Sequence, residues 1–169
     1  RWDFVLQRPQ HLMSRFARNR RVWFWEEEIP TDHHLPYLEF HSFEGTTVRS
    51  IRPRLPRGLT PAQIEETLAG LLDQFLSITG TRMPVMWFYT PQMWPFARHV
   101  PAAAIVYDCM DELSCFRFAP PDLRRNEAAL MEAAGRPLVE ERRVHNLDLP
   151  GHGRSPAPPR RPDGTAWGV

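Results

Sequence analysis

Acidic side chains follow an apolar run in the stretch YDCMDE, where Asp108 and Asp111 stand three positions apart. The preceding run AAAIVYD (102–108) has the length and continuous apolar character of a strand buried in a parallel sheet. Ligands of open parallel sheets bind just outside the carboxyl ends of the strands. A partly desolvated carboxylate at such a place can take a proton from a hydroxyl nucleophile.

Two other interpretations of these aspartates stay open. Either Asp108 or Asp111, taken alone, is as well explained as a cap of the following helix or turn. The D-x-x-D spacing is not the D-x-D of carboxylates that hold a divalent ion against a nucleotide diphosphate, so metal binding is the weaker hypothesis. The histidines at 33, 34 and 41 lack the spacing of metal ligands on one helical turn and are better explained as solvated loop residues.

A second group of polar residues lies in WDFVLQRPQH near the start of the chain. Pro9 favours a helix over about 9–18, with Leu12, Met13 and Phe16 facing inward. Backbone N–H groups at such a helix start favour anions and hydroxyls, and Trp2 offers a flat face to a sugar ring. The alternative is a capped helix start with a buried tryptophan. The polar residues concerned are Gln7, Arg8, Gln10 and His11.

Strand-like and helix-like segments alternate from residue 1 to residue 134. LEFHSF and TTVRSI flank Glu44-Gly45 and predict a hairpin. The strongest helix covers 60–79, with Thr60 and Gln63 as a capping box and Gly80 as its end. Its inward face is expected to hold Ile64, Leu68, Leu71, Leu72, Phe75 and Leu76.

The remaining segments complete an α/β pattern. We predict a helix over 122–134 with Leu123, Leu130, Met131 and Ala134 on one face. The other predicted elements are strands at 21–25, 84–90 and 102–108 and a short helix near 91–99. The order predicts an α/β fold in which a parallel sheet has right-handed crossovers.

Composition limits the possible functions. The length of 169 residues suits one domain, and the formal charge of +1 argues against nucleic-acid or membrane binding driven by charge alone. Two cysteines are too few for a disulfide framework. No apolar run is long enough to span a membrane. These features predict a soluble, cytoplasmic protein.

The composition changes near residue 135. Residues 135–169 hold 6 Pro, 5 Gly and 6 Arg among 35 positions, so we expect this tail to be irregular and disordered. The tail is either a natural flexible segment or the product of a reading frame disrupted near Gly135.

Three segments resemble the N-terminal half of bacterial GT-B glycosyltransferases, in the subgroup of teichuronic-acid-type and related cell-surface polysaccharide enzymes. The segments are RWDFVLQRPQHLMSRFA, WFYTPQ and VYDCMDELSCFRFAPPDLRRNEAALMEAA. The resemblance implies that residues 1–134 are an incomplete Rossmann-like acceptor domain with helices on both faces of its sheet. In that family a hydrophobic strand precedes the motif that starts at Trp2, and a strand ending in a glycine pair follows the helix that ends here at Ala134. We expect the first to have been cut off by a fragmentary start. The second is replaced from Gly135 by the tail rich in Arg, Pro and Gly, which favours the disrupted frame.

The resemblance also assigns roles to residues. The loop after the strand that ends at Asp108 lies where related enzymes place a residue near the reacting sugar, often a histidine. The expected catalytic residues are therefore Asp108 and Asp111, with Glu112 next. The expected substrate-binding residues are Trp2, Gln7, Arg8, Gln10, His11 and Tyr89.

The expected reaction moves a sugar from a nucleotide-sugar donor to a cell-surface glycan or lipid-linked acceptor, without a cofactor or an aspartate-held metal. The donor would bind only to the missing C-terminal domain, so this chain is expected to be inactive alone. Its place would be cytoplasmic, peripheral to the inner membrane face. The alternative is a non-catalytic α/β module that binds a carbohydrate or a protein. A second α/β domain encoded in another frame beyond codon 134 would favour the enzyme.

Overall fold

The computed structural model describes Trp2 and residues 8–110, 113–115 and 117–135. The predicted site residues Gln7, Asp111 and Glu112, and the predicted tail beyond Gly135, lie outside the described residues. The described part of the chain contains four α-helices and six strands, of which β1 to β4 follow one another between α1 and α2. They are α1 (Arg8–Phe16), β1 (Trp23–Trp25), β2 (Ile29–Thr31), β3 (Tyr37–Ser42), β4 (Arg49–Pro56), α2 (Pro61–Thr79), β5 (Val85–Phe88), α3 (Trp94–Ala97), β6 (Ala104–Tyr107) and α4 (Leu123–Gly135).

The described strands form two sheets. In the first, β4 pairs antiparallel with β3 along one edge, while β1 and β2 both pair with its other edge in parallel. In the second, β5 and β6 run parallel. The predicted hairpin and the parallel pairing are therefore confirmed, and the fold is mixed α/β. The prediction of one sheet is corrected to two, and β2 was not predicted.

Side-chain alternation places both sheets in the same layer. Trp23 and Trp25 of β1 pack against a large core on one face, and Phe24 between them packs against a small core on the other. Strand β5 repeats this pattern, because Met86 and Phe88 face the large core and Trp87 faces the small one. Successive side chains of a strand point to opposite faces of its sheet. Both sheets therefore lie between the same two cores.

Helices cover the two faces unequally. The large core is buried under α2, α3 and α4, while the small core is buried under α1. The buried members of the large core are Ile51, Leu55, Leu68, Leu71, Leu72, Phe75, Phe88, Phe96, Ala97, Val100 and Leu130. Those of the small core are Trp2, Met13, Ala17 and Val48. The molecule is therefore built in three layers, with strands in the middle.

Helix α2 forms as its sequence predicts. The Thr60 hydroxyl accepts from the Gln63 backbone N–H, and the Gln63 side chain accepts from the Thr60 N–H, at 3.3 and 2.9 Å. Gly80 ends the helix with φ of 64°, a left-handed conformation that suits glycine. Of the predicted inward face, Leu68, Leu71, Leu72 and Phe75 are buried, and Ile64 and Leu76 pack partly buried against the same core.

Two predicted inward side chains are more exposed than expected. Met131 of α4 is 52% exposed, because the buried stripe of that helix runs through Leu123, Asn126 and Leu130. Met131 follows Leu130 directly and is therefore rotated by about 100° away from the stripe. Phe16 of α1 is 41% exposed, although its ring lies 5.5 Å from that of Trp87.

Among the described residues, no helix is long and apolar enough to span a membrane.

Candidate functional site

The candidate site lies where β1, β5 and β6 end. Each strand is followed by a polar residue at its carboxyl end, namely Glu26 after β1, Tyr89 after β5 and Asp108 after β6. The first turn of α1 connects these ends, since Arg8 pairs with Asp108 and Gln10 binds the backbone of Trp2, which in turn contacts Glu26. Contacts from one helical turn thus reach the ends of both sheets.

Asp108 is a shielded carboxylate held by an arginine. Its side chain is only 9% exposed, and its Oδ1 forms an ion pair with the half-exposed guanidinium of Arg8. The backbone N–H of Asp108 donates to the Phe88 carbonyl at 2.8 Å, which fixes the residue at the end of the β5–β6 pair. A carboxylate that is shielded from water to this degree needs a positively charged or hydrogen-bonding partner. Arg8, at the start of α1, is that partner. This ion pair joins the start of α1 to the end of β6.

The Tyr89 hydroxyl is buried and has no hydrogen-bond partner among the described residues. Burial raises the pKa of Tyr89 to about 12, although the nearby positive charge of Arg8 lowers it. The phenol therefore stays protonated at neutral pH and can donate a hydrogen bond. The indole Nε1 of Trp87 is a second buried donor that lacks a partner within the described ranges. The Trp87 and Tyr89 rings lie 6.5 Å apart.

A hydrogen bond from Tyr107 fixes α4, the helix that follows β6. The Tyr107 hydroxyl donates to Glu127 Oε1 of α4 at 2.6 Å, and the Cys109 sulfur lies 4.0 Å from the same oxygen. Burial, followed by the hydrogen bond to Glu127, raises the pKa of Tyr107. This contact ties α4 to the end of β6 and so positions the loop that carries Asp108.

Glu26 and Arg52 form a buried ion pair at the end of β1. The Arg52 Nε and Nη2 atoms donate to Glu26 Oε2 at 2.9 and 2.7 Å, and the Glu26 side chain is 1% exposed. The Trp2 backbone N–H donates to the other carboxylate oxygen, Oε1, at 3.4 Å. Sequence reasoning missed Glu26. Its position directly after an apolar strand is the signal that identified Asp108.

The structure separates the predicted binding residues into different environments. Trp2 is 7% exposed and its ring packs on Phe24 and Phe43, as in the alternative of a buried tryptophan, which leaves little ring surface for a ligand. The buried Gln10 amide donates to the Trp2 carbonyl at 2.9 Å, which is a structural contact. His11 is exposed on α1. Arg8, Tyr89 and Asp108 lie together.

Metal ligation was the weaker hypothesis for this region. Within the described ranges, no group of three or more His, Cys, Asp or Glu side chains is arranged to hold a metal ion. The rings of His33 and His34 stack at 5.2 Å in an exposed loop.

We predict that the partly buried Tyr89 and Tyr107 respond differently to loss of the hydroxyl. Tyr89→Phe removes a buried hydroxyl that has no hydrogen-bond partner in the part of the chain that the structure describes. The free energy of unfolding should therefore stay within about 0.5 kcal/mol of wild type or rise. Tyr107→Phe, the matched control, breaks a hydrogen bond to the Glu127 carboxylate and should cost about 1.5–3 kcal/mol. Urea denaturation followed by tryptophan fluorescence measures both values. Equal losses would show that the Tyr89 hydroxyl is bonded in the folded protein.

Comparison of the chain with protein-family models, with characterised proteins and with solved structures returns no match.

Proposed function

We propose that this chain is the acceptor-side, Rossmann-like domain of a GT-B glycosyltransferase that builds a cell-surface polysaccharide on the cytoplasmic side of the membrane. The observation that carries the proposal is the Arg8–Asp108 pair at the carboxyl end of β6, with the Tyr89 hydroxyl nearby. The pair joins two of the three segments that resemble such enzymes, and Tyr89 belongs to the third. Arg8 lies 81 positions before Tyr89 and 100 before Asp108 in the sequence, and the three residues lie together at one site.

The chemistry of the pair suits a hydroxyl substrate. A sugar hydroxyl donates a hydrogen bond to a carboxylate oxygen, while the Tyr89 phenol and the Arg8 guanidinium can donate to the oxygens of the same sugar. Asp108 would orient the acceptor hydroxyl and take its proton as the new bond to the donor sugar forms. An arginine-paired carboxylate is a weak base, so proton transfer requires Arg8 to turn toward the substrate. The half-exposed guanidinium has the freedom to do this.

The donor would bind to a second domain that faces this one. In this proposal the described part supplies the acceptor wall of a cleft, and the nucleotide-sugar contacts come from the other wall. The 169-residue chain should therefore bind acceptor without turning over a nucleotide-sugar.

Asp108→Asn tests the proposal through binding. The purified chain is titrated with oligosaccharide repeat units of bacterial surface polysaccharides, and saturation-transfer NMR measures the dissociation constant. Loss of one charge-assisted hydrogen bond, about 1.5–3 kcal/mol, should weaken binding by roughly 10- to 100-fold. Asp73→Asn is the control, because Asp73 is exposed and contacts only His99, at 2.8 Å, among the contacts described. It should leave binding unchanged.

Three results distinguish a glycosyltransferase acceptor domain from a non-catalytic carbohydrate-binding module. Sugar binding that is lost in Asp108→Asn supports the acceptor domain. Binding that is equal in both variants supports a carbohydrate-binding module with a site elsewhere. Turnover of a nucleotide-sugar by the 169-residue chain alone would overturn the proposal that the donor binds to a second domain.

A further inference from the structure

Strand β3 forms an open edge of the first sheet. Among the described strands it pairs only with β4, whose other edge carries β1 and β2. In an antiparallel pair, hydrogen-bonded and non-hydrogen-bonded residue pairs alternate, so alternate residues of β3 direct their backbone N–H and C=O groups away from β4. Within the described ranges these groups face no further strand. Such an edge can pair with a strand of another chain.

The features that usually keep an open edge from pairing are few in β3. Its sequence YLEFHS contains neither lysine nor proline. Its one carboxylate, Glu39, is neutralised by Arg54, whose Nε and Nη2 atoms lie 2.8 and 2.7 Å from Glu39 Oε2. Phe40 is 52% exposed, although its ring lies 6.0 Å from that of Trp23 and 6.3 Å from that of Phe75. An exposed aromatic side chain on such an edge favours association with another chain.

The side chains of β3 complement those of a second, antiparallel copy of β3 in one register. With Phe40 opposite itself, Glu39 of each copy stands opposite His41 of the other, and Leu38 stands opposite Ser42. Residues directly opposite each other lie on the same face of the sheet, where opposite charges stabilise the pair and like charges destabilise it. Glu39 and His41 are compatible neighbours, since they approach to 3.4 Å within one chain. A register centred on Glu39 would instead place two carboxylates face to face.

We propose that β3 binds the β3 of a second copy of this chain, edge to edge and antiparallel, in the register centred on Phe40. The first sheet of each copy then continues into that of the other, and a two-fold axis passes between the two Phe40 residues. The same surface is used on both copies, so the contact closes as a dimer. A six-residue strand buries less surface than a permanent dimer does, so we expect a reversible dimer with a Kd of roughly 10–300 µM. This proposal does not depend on the proposed glycosyltransferase function.

Sedimentation equilibrium of the full 169-residue chain measures the dimer. The apparent mass of wild type should rise with concentration, and Phe40→Glu should weaken the dimer by about tenfold or more, because it places two carboxylates opposite each other. Tyr37→Glu is the matched control. Tyr37 is 42% exposed on the same strand, but in the proposed register it faces the residue after the end of the other β3. This control should weaken the dimer by less than about threefold.

Disulfide cross-linking tests the register separately. Two full-length variants carry Cys109→Ser and Cys115→Ser, because both native thiols are exposed. In the first, Phe40→Cys places the two new thiols face to face at the two-fold axis, within reach of a disulfide. Mild oxidation should therefore give a covalent dimer. In the second, Tyr37→Cys places the two thiols about 20 Å apart along the paired strands, so this variant should stay monomeric on a denaturing gel.

Each outcome supports or overturns the proposal. A wild-type chain that stays monomeric up to about 1 mM overturns it. If the β3 amides of that monomer also exchange slowly with solvent, another segment of the same chain covers the edge. A dimer that Phe40→Glu leaves unchanged, or equal cross-linking in the two cysteine variants, overturns it because the contact then lies elsewhere. If circular dichroism shows that Phe40→Glu is unfolded, the cross-linking of the two cysteine variants decides.

Discussion

Glu26→Gln is expected to lower the free energy of unfolding by about 3–5 kcal/mol, because it removes the charge of the buried carboxylate that binds the Arg52 guanidinium. Glutamine keeps the size of the side chain and removes only the charge. The Arg52 side chain is 11% exposed, so water cannot fully replace the lost carboxylate. A loss of this size is a large part of the stability of a domain of this length. Urea denaturation measures it.

The neighbouring acidic residue gives a matched control. Glu27 is exposed and follows Glu26 directly, so Glu27→Gln should change the free energy of unfolding by less than about 0.5 kcal/mol. The double variant Glu26→Gln/Arg52→Met completes the cycle. Removing both charges should restore part of the stability lost in Glu26→Gln. A double variant less stable than Glu26→Gln alone would show that the arginine is stabilised by other contacts.

Leu130→Ala is expected to cost about 2–5 kcal/mol through the cavity that it leaves in the large core. Leu130 is 0% exposed and is the deepest side chain of α4. The same helix carries Glu127, which holds the Tyr107 hydroxyl, so loosening α4 also frees the loop that carries Asp108. Thermal unfolding followed by circular dichroism gives the stability change.

Met131→Ala is the control for this prediction. Both substitutions place alanine one position apart in the same helix, so their effects on helix propensity are similar. Met131 is 52% exposed, and its replacement should change stability by less than about 0.5 kcal/mol. Equal losses in the two variants would mean that α4 is rotated relative to the arrangement described here.

Local signals predicted the elements well. The capping box of Thr60 and Gln63, the glycine after α2 and the hairpin around Gly45 each depend on neighbours within a few positions, and each forms as expected. The parallel strands β5 and β6 were evident as continuous apolar runs. Such features are encoded in short stretches of the chain and need no knowledge of the tertiary structure.

Long-range contacts could not be predicted in the same way. Glu26 and Arg52 are 26 positions apart, and they meet only because β1 and β4 pair in parallel in one particular register. From the sequence, Trp2 could either stack on a ligand or belong to the core. It belongs to the core because its ring packs against the rings of Phe24 and Phe43, which are distant in sequence. For the site itself, the sequence pointed to Arg8, Tyr89 and Asp108 but not to the ion pair that links Arg8 to Asp108.

The first turn of α1 links binding at the Arg8–Asp108 pair to the stability of the folded domain. Arg8 is bonded to the end of the β5–β6 sheet, and Gln10 is bonded through Trp2 to the end of the β1–β4 sheet. A bound molecule that separates Arg8 from Asp108 weakens the first of these contacts. A bound molecule that bridges Arg8 and Asp108 strengthens it. A bound molecule must therefore change the unfolding temperature by linkage. A thermal-shift screen would thus report occupancy of this place even for compounds that undergo no reaction.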